Sequence, residues 1–134
     1  MNKNSKPIKS YRDLEVYENL YRAMLVVLKE IIPMLPREEK YDLVDQMRRC
    51  AKGMPALIAE GFAKRYQAKA WHKYLEDVLG EINEILHHLD VCLDVYSEYI
   101  NQETIKETRN LYEIAGKQVY RLKESWKDFH EKRN

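Results

Sequence analysis

The sequence predicts an all-α chain folded as an antiparallel, up-down-up-down four-helix bundle with a kinked second helix. Apolar residues recur at alternating spacings of three and four through four long segments, the signature of helices with one buried face. Gly and Pro number only four each among 134 residues, so the connections are short and force neighbouring helices to run antiparallel. The composition, 45% apolar and 34% charged, is neither disordered nor β-rich, and the length fits one domain with its own core. The expected organisation is a basic, flexible N-terminus at 1–10, a bundle at 11–130 with helices near 11–32, 37–61, 67–98 and 102–130, and a tail at 131–134.

In the first helix Leu14, Tyr17, Tyr21, Met24, Leu28 and Ile31 fall on one face. Ser10 followed by Asp13 resembles a capping box, with Asp in place of the usual Glu, and Pro33 marks the end. The second helix is expected to start at Pro36, which suits a first helical position, with Glu38 and Glu39 at the positive end of the dipole. Its apolar face reads Leu43, Met47, Cys50, Met54 and Leu57. Pro55 lacks an amide hydrogen and crowds the preceding turn, so a kink is expected near Gly53, and Gly61 offers a stop.

The third helix carries the strongest pattern: Trp71, Leu75, Val78, Ile82, Ile85, Leu89, Cys92, Tyr96 and Tyr99 keep a 3-4 spacing. A second line, Leu79, Leu86 and Leu93, widens its stripe and implies more than one neighbour. Asn101 is a good N-cap for the fourth helix, whose stripe is Ile105, Thr108, Tyr112, Ala115, Val119, Leu122, Trp126 and Phe129.

Several function classes are excluded or disfavoured. No apolar stretch approaches the roughly 20 residues that span a bilayer, and the N-terminus lacks the apolar core of a secretory signal, which points to a cytoplasmic protein without membrane contact. Phosphate-binding Gly loops, nucleophile elbows and strand-turn-helix units are missing, so no enzyme activity and no cofactor is expected. Cys50 and Cys92 lie on apolar faces without Cys-x-x-Cys spacing and read as buried thiols. Glu84 and His87 form one half of a di-iron carboxylate motif, yet no second Glu-x-x-His occurs, so no metal ligands are assigned.

The net charge of +1 conceals segregation: residues 46–73 carry +6, flanked by −4 over 13–45 and −8 over 74–108, while 109–134 carry +3. The basic island is Arg48, Arg49, Lys52, Lys64, Arg65, Lys69 and Lys73, interleaved with Tyr66 and Trp71. Such a patch can neutralise phosphates. The competing readings are an ordinary solvated face, or cations that pair with the acidic third helix of the same or an adjacent subunit. The ten tyrosines suit interfaces and bundle rims alike.

Three segments together resemble the four-helix-bundle family of 23S rRNA intervening-sequence (S23) proteins. They are Tyr11-Arg-Asp-Leu-Glu-Val-Tyr17, the third helix with Gly80-Glu81 and Glu84, and Gln46-Met-Arg-Arg-Cys-Ala-Lys-Gly-Met-Pro-Ala-Leu-Ile-Ala-Glu-Gly-Phe62. The last is similar to the family signature Q-x-R-R-A-x-x-S-I-P-x-x-I-A-E-G-F, from which this chain departs at Gly53 and Leu57. The resemblance spans residues 10 to about 125. It implies a kinked bundle that assembles into a homopentameric ring and has no catalytic residues. One branch of the family comprises the accessory variability determinant (Avd) proteins of diversity-generating retroelements. For that branch the implied partners are a reverse transcriptase and nucleic acid, either RNA or an RNA–DNA hybrid, met through basic surfaces. A purely structural protein-interaction bundle is the alternative. In the signature, Pro55 bends the helix, small Ala59 and Gly61 permit close backbone approach, and Glu60 caps or pairs at the bend.

Overall fold

The structure is a computed structural model that describes residues 7–133. Most of the basic N-terminal segment and the last residue of the expected tail therefore lie outside the described residues. Four α-helices account for most of the chain: α1 (Glu15–Val26), α2 (Leu43–Ala63), α3 (Ala68–Val95) and α4 (Gln102–Arg133). No strand occurs among the described residues, and none of their helices is long and apolar enough to cross a membrane.

Chain entry into α1 follows the expected cap. The Ser10 hydroxyl accepts from the Arg12 amide at 3.1 Å, while Asp13 Oδ2 accepts from the Ser10 amide at 3.1 Å. These bonds close a 3₁₀ turn, Tyr11–Asp13, that precedes α1. The buried face of α1 is Val16, Leu20 and Ala23, continued by Val27 and Ile31. The expected stripe is thus displaced: Tyr17, Met24 and Leu28 are only half-buried, and Tyr21 is 43% exposed. Both sets satisfy a helical spacing, and the wider phenol-bearing one stays at the rim. A π turn, Val27–Ile31, follows α1, with the Ile32 amide donating to the Val27 carbonyl. Ile31, at the end of that turn, is buried in the core, as its place on the expected face predicts.

Two expected boundaries are corrected at α2. Its α-helical part begins at Leu43, not near residue 37, because Arg37–Glu39 form a separate 3₁₀ turn and Asp42 leaves helical geometry at φ −127°, ψ −97°. Glu39 gives this entrance its anchor. One carboxylate oxygen accepts from the Leu43 amide at 3.4 Å, and the other accepts from the Tyr96 hydroxyl at the far end of α3. That bond to a carboxylate pushes the Tyr96 phenol up to about 12.

Gly61 does not end the helix. It is buried within α2, which runs two residues further, and its place is dictated by space. A Cβ there would lie 2.6 Å from Tyr74 Cβ and 2.7 Å from Trp71 Cζ3 on α3. Gly61 therefore sets how closely α2 and α3 approach. The helix continues through Gly53 and Pro55, with Pro55 buried and Gly53 beside open space.

The core is one cluster built from all four helices, and its largest fully buried side chains include Trp71, Tyr112, Leu20, Met47, Ile85 and Leu89. Every residue of the α3 stripe from Trp71 to Cys92 is buried, whereas Leu79, Leu86 and Leu93 are half-buried against the core. Both cysteines are free and buried. Asn101 caps α4 by accepting from the Thr104 amide at 3.1 Å. The residues expected as a tail, 131–133, are instead the last turn of α4. A bidentate contact from Arg109 to Asp90, at 2.7 and 3.3 Å, ties α3 to α4 and holds the Asp90 carboxyl below its usual range.

Candidate nucleic-acid interface

The island that is continuous in sequence is divided in space. Arg48, Arg49 and Lys52 occupy exposed positions in the first half of α2, where Arg49 pairs with Asp45 at 3.1 Å across one turn. Lys64 lies sixteen residues beyond Arg48, which is roughly 24 Å along the axis at 1.5 Å per residue. Lys64, Arg65, Lys69 and Lys73 surround the short connection from α2 to α3 and form a separate group.

The local fold of that connection explains their arrangement. The amides of Lys64 and Arg65 close the end of α2 on the carbonyls of Gly61 and Phe62, and the Trp71 amide begins α3 on the Gln67 carbonyl. The turn packs its cations over rings. Lys64 Nζ sits 5.6 Å from the centroid of Tyr74, and the Arg65 guanidinium lies 4.0 Å from Phe62 and 4.7 Å from Tyr66. Arg65 also donates to the Phe62 carbonyl at 2.9 Å. Such contacts orient a guanidinium while leaving its charge unneutralised. Lys73, by contrast, pairs with Asp77 at 2.9 Å on the α3 surface.

Residues of α4 complete the cluster. Trp126 meets Tyr66 at 5.8 Å, Trp71 at 6.4 Å and Phe129 at 4.9 Å between ring centroids. Arg133 lies 5.8 Å from the Tyr66 ring, and His130 Nε2 is 2.8 Å from the Arg65 carbonyl oxygen. A groove of about 520 Å³ opens between the start of α3 and the end of α4. Trp71, Leu75 and Trp126 line it, with Lys69, His72, Lys123, Lys127 and His130 and the acidic Glu124 and Glu131 around them. The Trp71 indole N–H is buried without a hydrogen-bond partner among the described residues. Its six-membered ring faces α2 at Gly61, which places the nitrogen on the opposite edge.

The sequence thus points to Lys64, Arg65, Lys69 and Lys73 with the interleaved Tyr66 and Trp71, but not to the α4 contribution. The signals were present: residues 109–134 carry +3, and Trp126 and Phe129 close an apolar stripe. What the sequence lacked was the pairing of the end of α4 with the start of α3. Of the residues assigned to the bend, Glu60 is exposed and lines a groove with Arg49, Gly53 and Leu57. Glu84 associates with His88 at 3.2 Å, one full turn on, and not with His87, which is exposed.

Chemically, the cluster sets cations beside half-exposed rings, and positive charge for phosphates with ring faces for stacking are the two elements that recognition of single-stranded and looped nucleic acids uses. No curated protein and no solved structure matches the chain. A family model for the 23S rRNA-intervening sequence protein matches residues 12–129, nearly the whole of the described bundle. The chain therefore belongs to the family of 23S rRNA-intervening sequence proteins.

Proposed function

We propose that this chain is a non-enzymatic cytoplasmic adaptor that assembles as a homopentameric ring of antiparallel bundles and holds structured RNA at its basic, aromatic end. The observation that carries the reading is the convergence of Arg65 and Arg133 on the Tyr66 ring, which packs on Trp126, beside a groove that Lys69, Trp126 and Lys127 line. Cations on rings supply orientation. Antiparallel packing is supported by the order of contacts. Gly61 meets Trp71, Cys50 meets Glu81 and Met47 meets Cys92, while Asp90 meets Arg109 and Glu76 meets Lys123. The half-buried line Leu79, Leu86 and Leu93 supports assembly, since a neighbouring subunit would complete its burial. An RNA–DNA hybrid or a reverse transcriptase would meet the same cations if the chain belongs with the retroelement accessory (Avd) branch.

The structural alternative, in which the island pairs with acidic groups of a neighbouring subunit, draws support from Arg49 and Lys73, both already paired with aspartates. Salt dependence separates the two. Fluorescence anisotropy with a hairpin RNA bearing an unpaired loop is expected to give a log K against log salt slope of about −3 to −4, from four or five phosphates at roughly 0.7–0.9 each. Binding that is undetectable at low salt would leave the structural reading in place.

A further inference from the structure

The two ends of the bundle carry opposite charge. The connection that enters α2 and the one that leaves α3 lie together, since the Tyr96 hydroxyl donates to the Glu39 carboxylate. Residues 34–42 and 94–103, which span these connections, carry a net −4. Glu38, Asp94 and Glu98 are exposed there and enter no ion pair among the described residues. Apolar side chains stand beside them: Tyr41 is 86% exposed, Val95 59% and Tyr99 49%. The Tyr99 and Tyr96 rings lie 6.1 Å apart between centroids, so these side chains form a patch rather than scattered singles, the pattern of a contact surface. At the other end, residues 64–69 carry +3 without an acid, and Tyr66 and Phe129 are exposed. The 21 residues of α2 hold the two ends about 32 Å apart.

We infer that the acidic end of one copy docks on the basic, aromatic end of a second copy, so that bundles associate head to tail. Two acidic ends repel one another, as do two basic ends, which leaves head to tail as the favourable arrangement. Glu38, Asp94 and Glu98 supply carboxylates for Lys64, Arg65 and Lys69, while Tyr41, Val95 and Tyr99 supply apolar cover for the rings of the basic end. The two faces differ, so the contact is heterologous: each added copy presents a fresh end, and the association stays open unless a rotation closes it. The end of a four-helix bundle is small, which places the contact among the transient interfaces below about 1,200 Å². Docking uses the cations assigned above to RNA, so RNA held there excludes the second copy. That exclusion rests on the RNA reading, whereas the docking itself does not.

Sedimentation equilibrium of the full chain without nucleic acid tests this, so its failure is read separately from a failure of RNA binding. At about 0.1 M salt, where charge acts over about 10 Å, the weight-average mass is expected to rise at least about twofold between micromolar and millimolar chain, as a Kd of about 1 mM or tighter gives. The rise should vanish at about 1 M salt, where that length falls to about 3 Å. Glu38→Lys with Asp94→Lys and Glu98→Lys should abolish it, as should Lys64→Glu with Arg65→Glu and Lys69→Glu. Mixing these two variants should restore it, which also shows that both are folded. Arg48→Glu with Arg49→Glu and Lys52→Glu, an equal change of charge on the flank of α2, should leave the rise in place. A wild-type mass that stays constant overturns the assignment and leaves the acidic end to a basic segment of another protein. A rise that survives either end variant, a mixture that stays unassociated, or an equal loss in the α2 variant overturns it as well.

Discussion

Gly61→Ala is expected to destabilise the chain by about 1–3 kcal/mol, the usual range for overpacking a well-filled contact. The substitution would ordinarily help a helix, by roughly 0.8–1 kcal/mol of propensity. Here the sign reverses because the new methyl would lie 2.6 Å from Tyr74 Cβ, an atom held by its own backbone, and 2.7 Å from the buried Trp71 ring. Neither neighbour is the free end of a flexible side chain, so α2 and α3 must separate. The separation also loosens the ring contacts around Trp71 that shape the groove. Gly53→Ala is the internal control: it lies in the same helix with nothing within 4 Å, and should gain about 0.5–1 kcal/mol. Urea denaturation of the two variants beside the wild-type chain checks both signs. If Gly61→Ala matched or exceeded wild-type stability, the close approach of α2 and α3 would not hold.

The second large effect concerns RNA. Simultaneous Lys64→Glu, Arg65→Glu and Lys69→Glu changes are expected to weaken hairpin-RNA binding on the order of 100-fold at about 0.1 M salt and to flatten the salt slope by about 2. Arg48→Glu, Arg49→Glu and Lys52→Glu, a change of equal charge, should cost less than about fivefold. The difference rests on distance, since the nearest members of the two groups, Lys52 and Lys64, are about 18 Å apart along the helix axis and the Debye length at that salt is about 10 Å. Arg49 is in addition already neutralised by Asp45. Equal losses from both triple variants would show that net charge, and not the site, governs binding.

The particular residues explain what the sequence could disclose. Heptad spacing in α3 was unambiguous because each position from Trp71 to Cys92 enters one core, and the structure buries all of them. In α1 two interleaved stripes both meet the helical spacing, and spacing alone does not separate the tyrosine-bearing one from Val16, Leu20 and Ala23, which are the buried set. The late start of α2 was hidden because Pro36, Glu38 and Glu39 satisfy helix-start preferences while forming only a 3₁₀ turn. Gly61 suits both a helix stop and a close approach by residue type alone, and in the structure it serves the second. For the interface, adjacency in sequence overstated adjacency in space. Arg48 to Lys52 stand most of a helix from the other cations of the island, and Arg133 and Trp126 join the cluster from the far end of the chain, where the spacing of Trp126 points only to an apolar stripe. The cysteines illustrate the same limit. Cys50 and Cys92 read alike on the apolar faces of two helices, yet among the described residues Cys50, and not Cys92, has two carboxylates within 4.8 Å.

Photocrosslinking of the bound hairpin RNA, followed by mass spectrometry of the linked peptides, tests the proposed interface most directly. Crosslinks are expected at Tyr66, Trp126 and Phe129, on peptides spanning 62–73 and 126–133. Crosslinks confined to residues 46–56, with none around the groove between α3 and α4, would contradict the account.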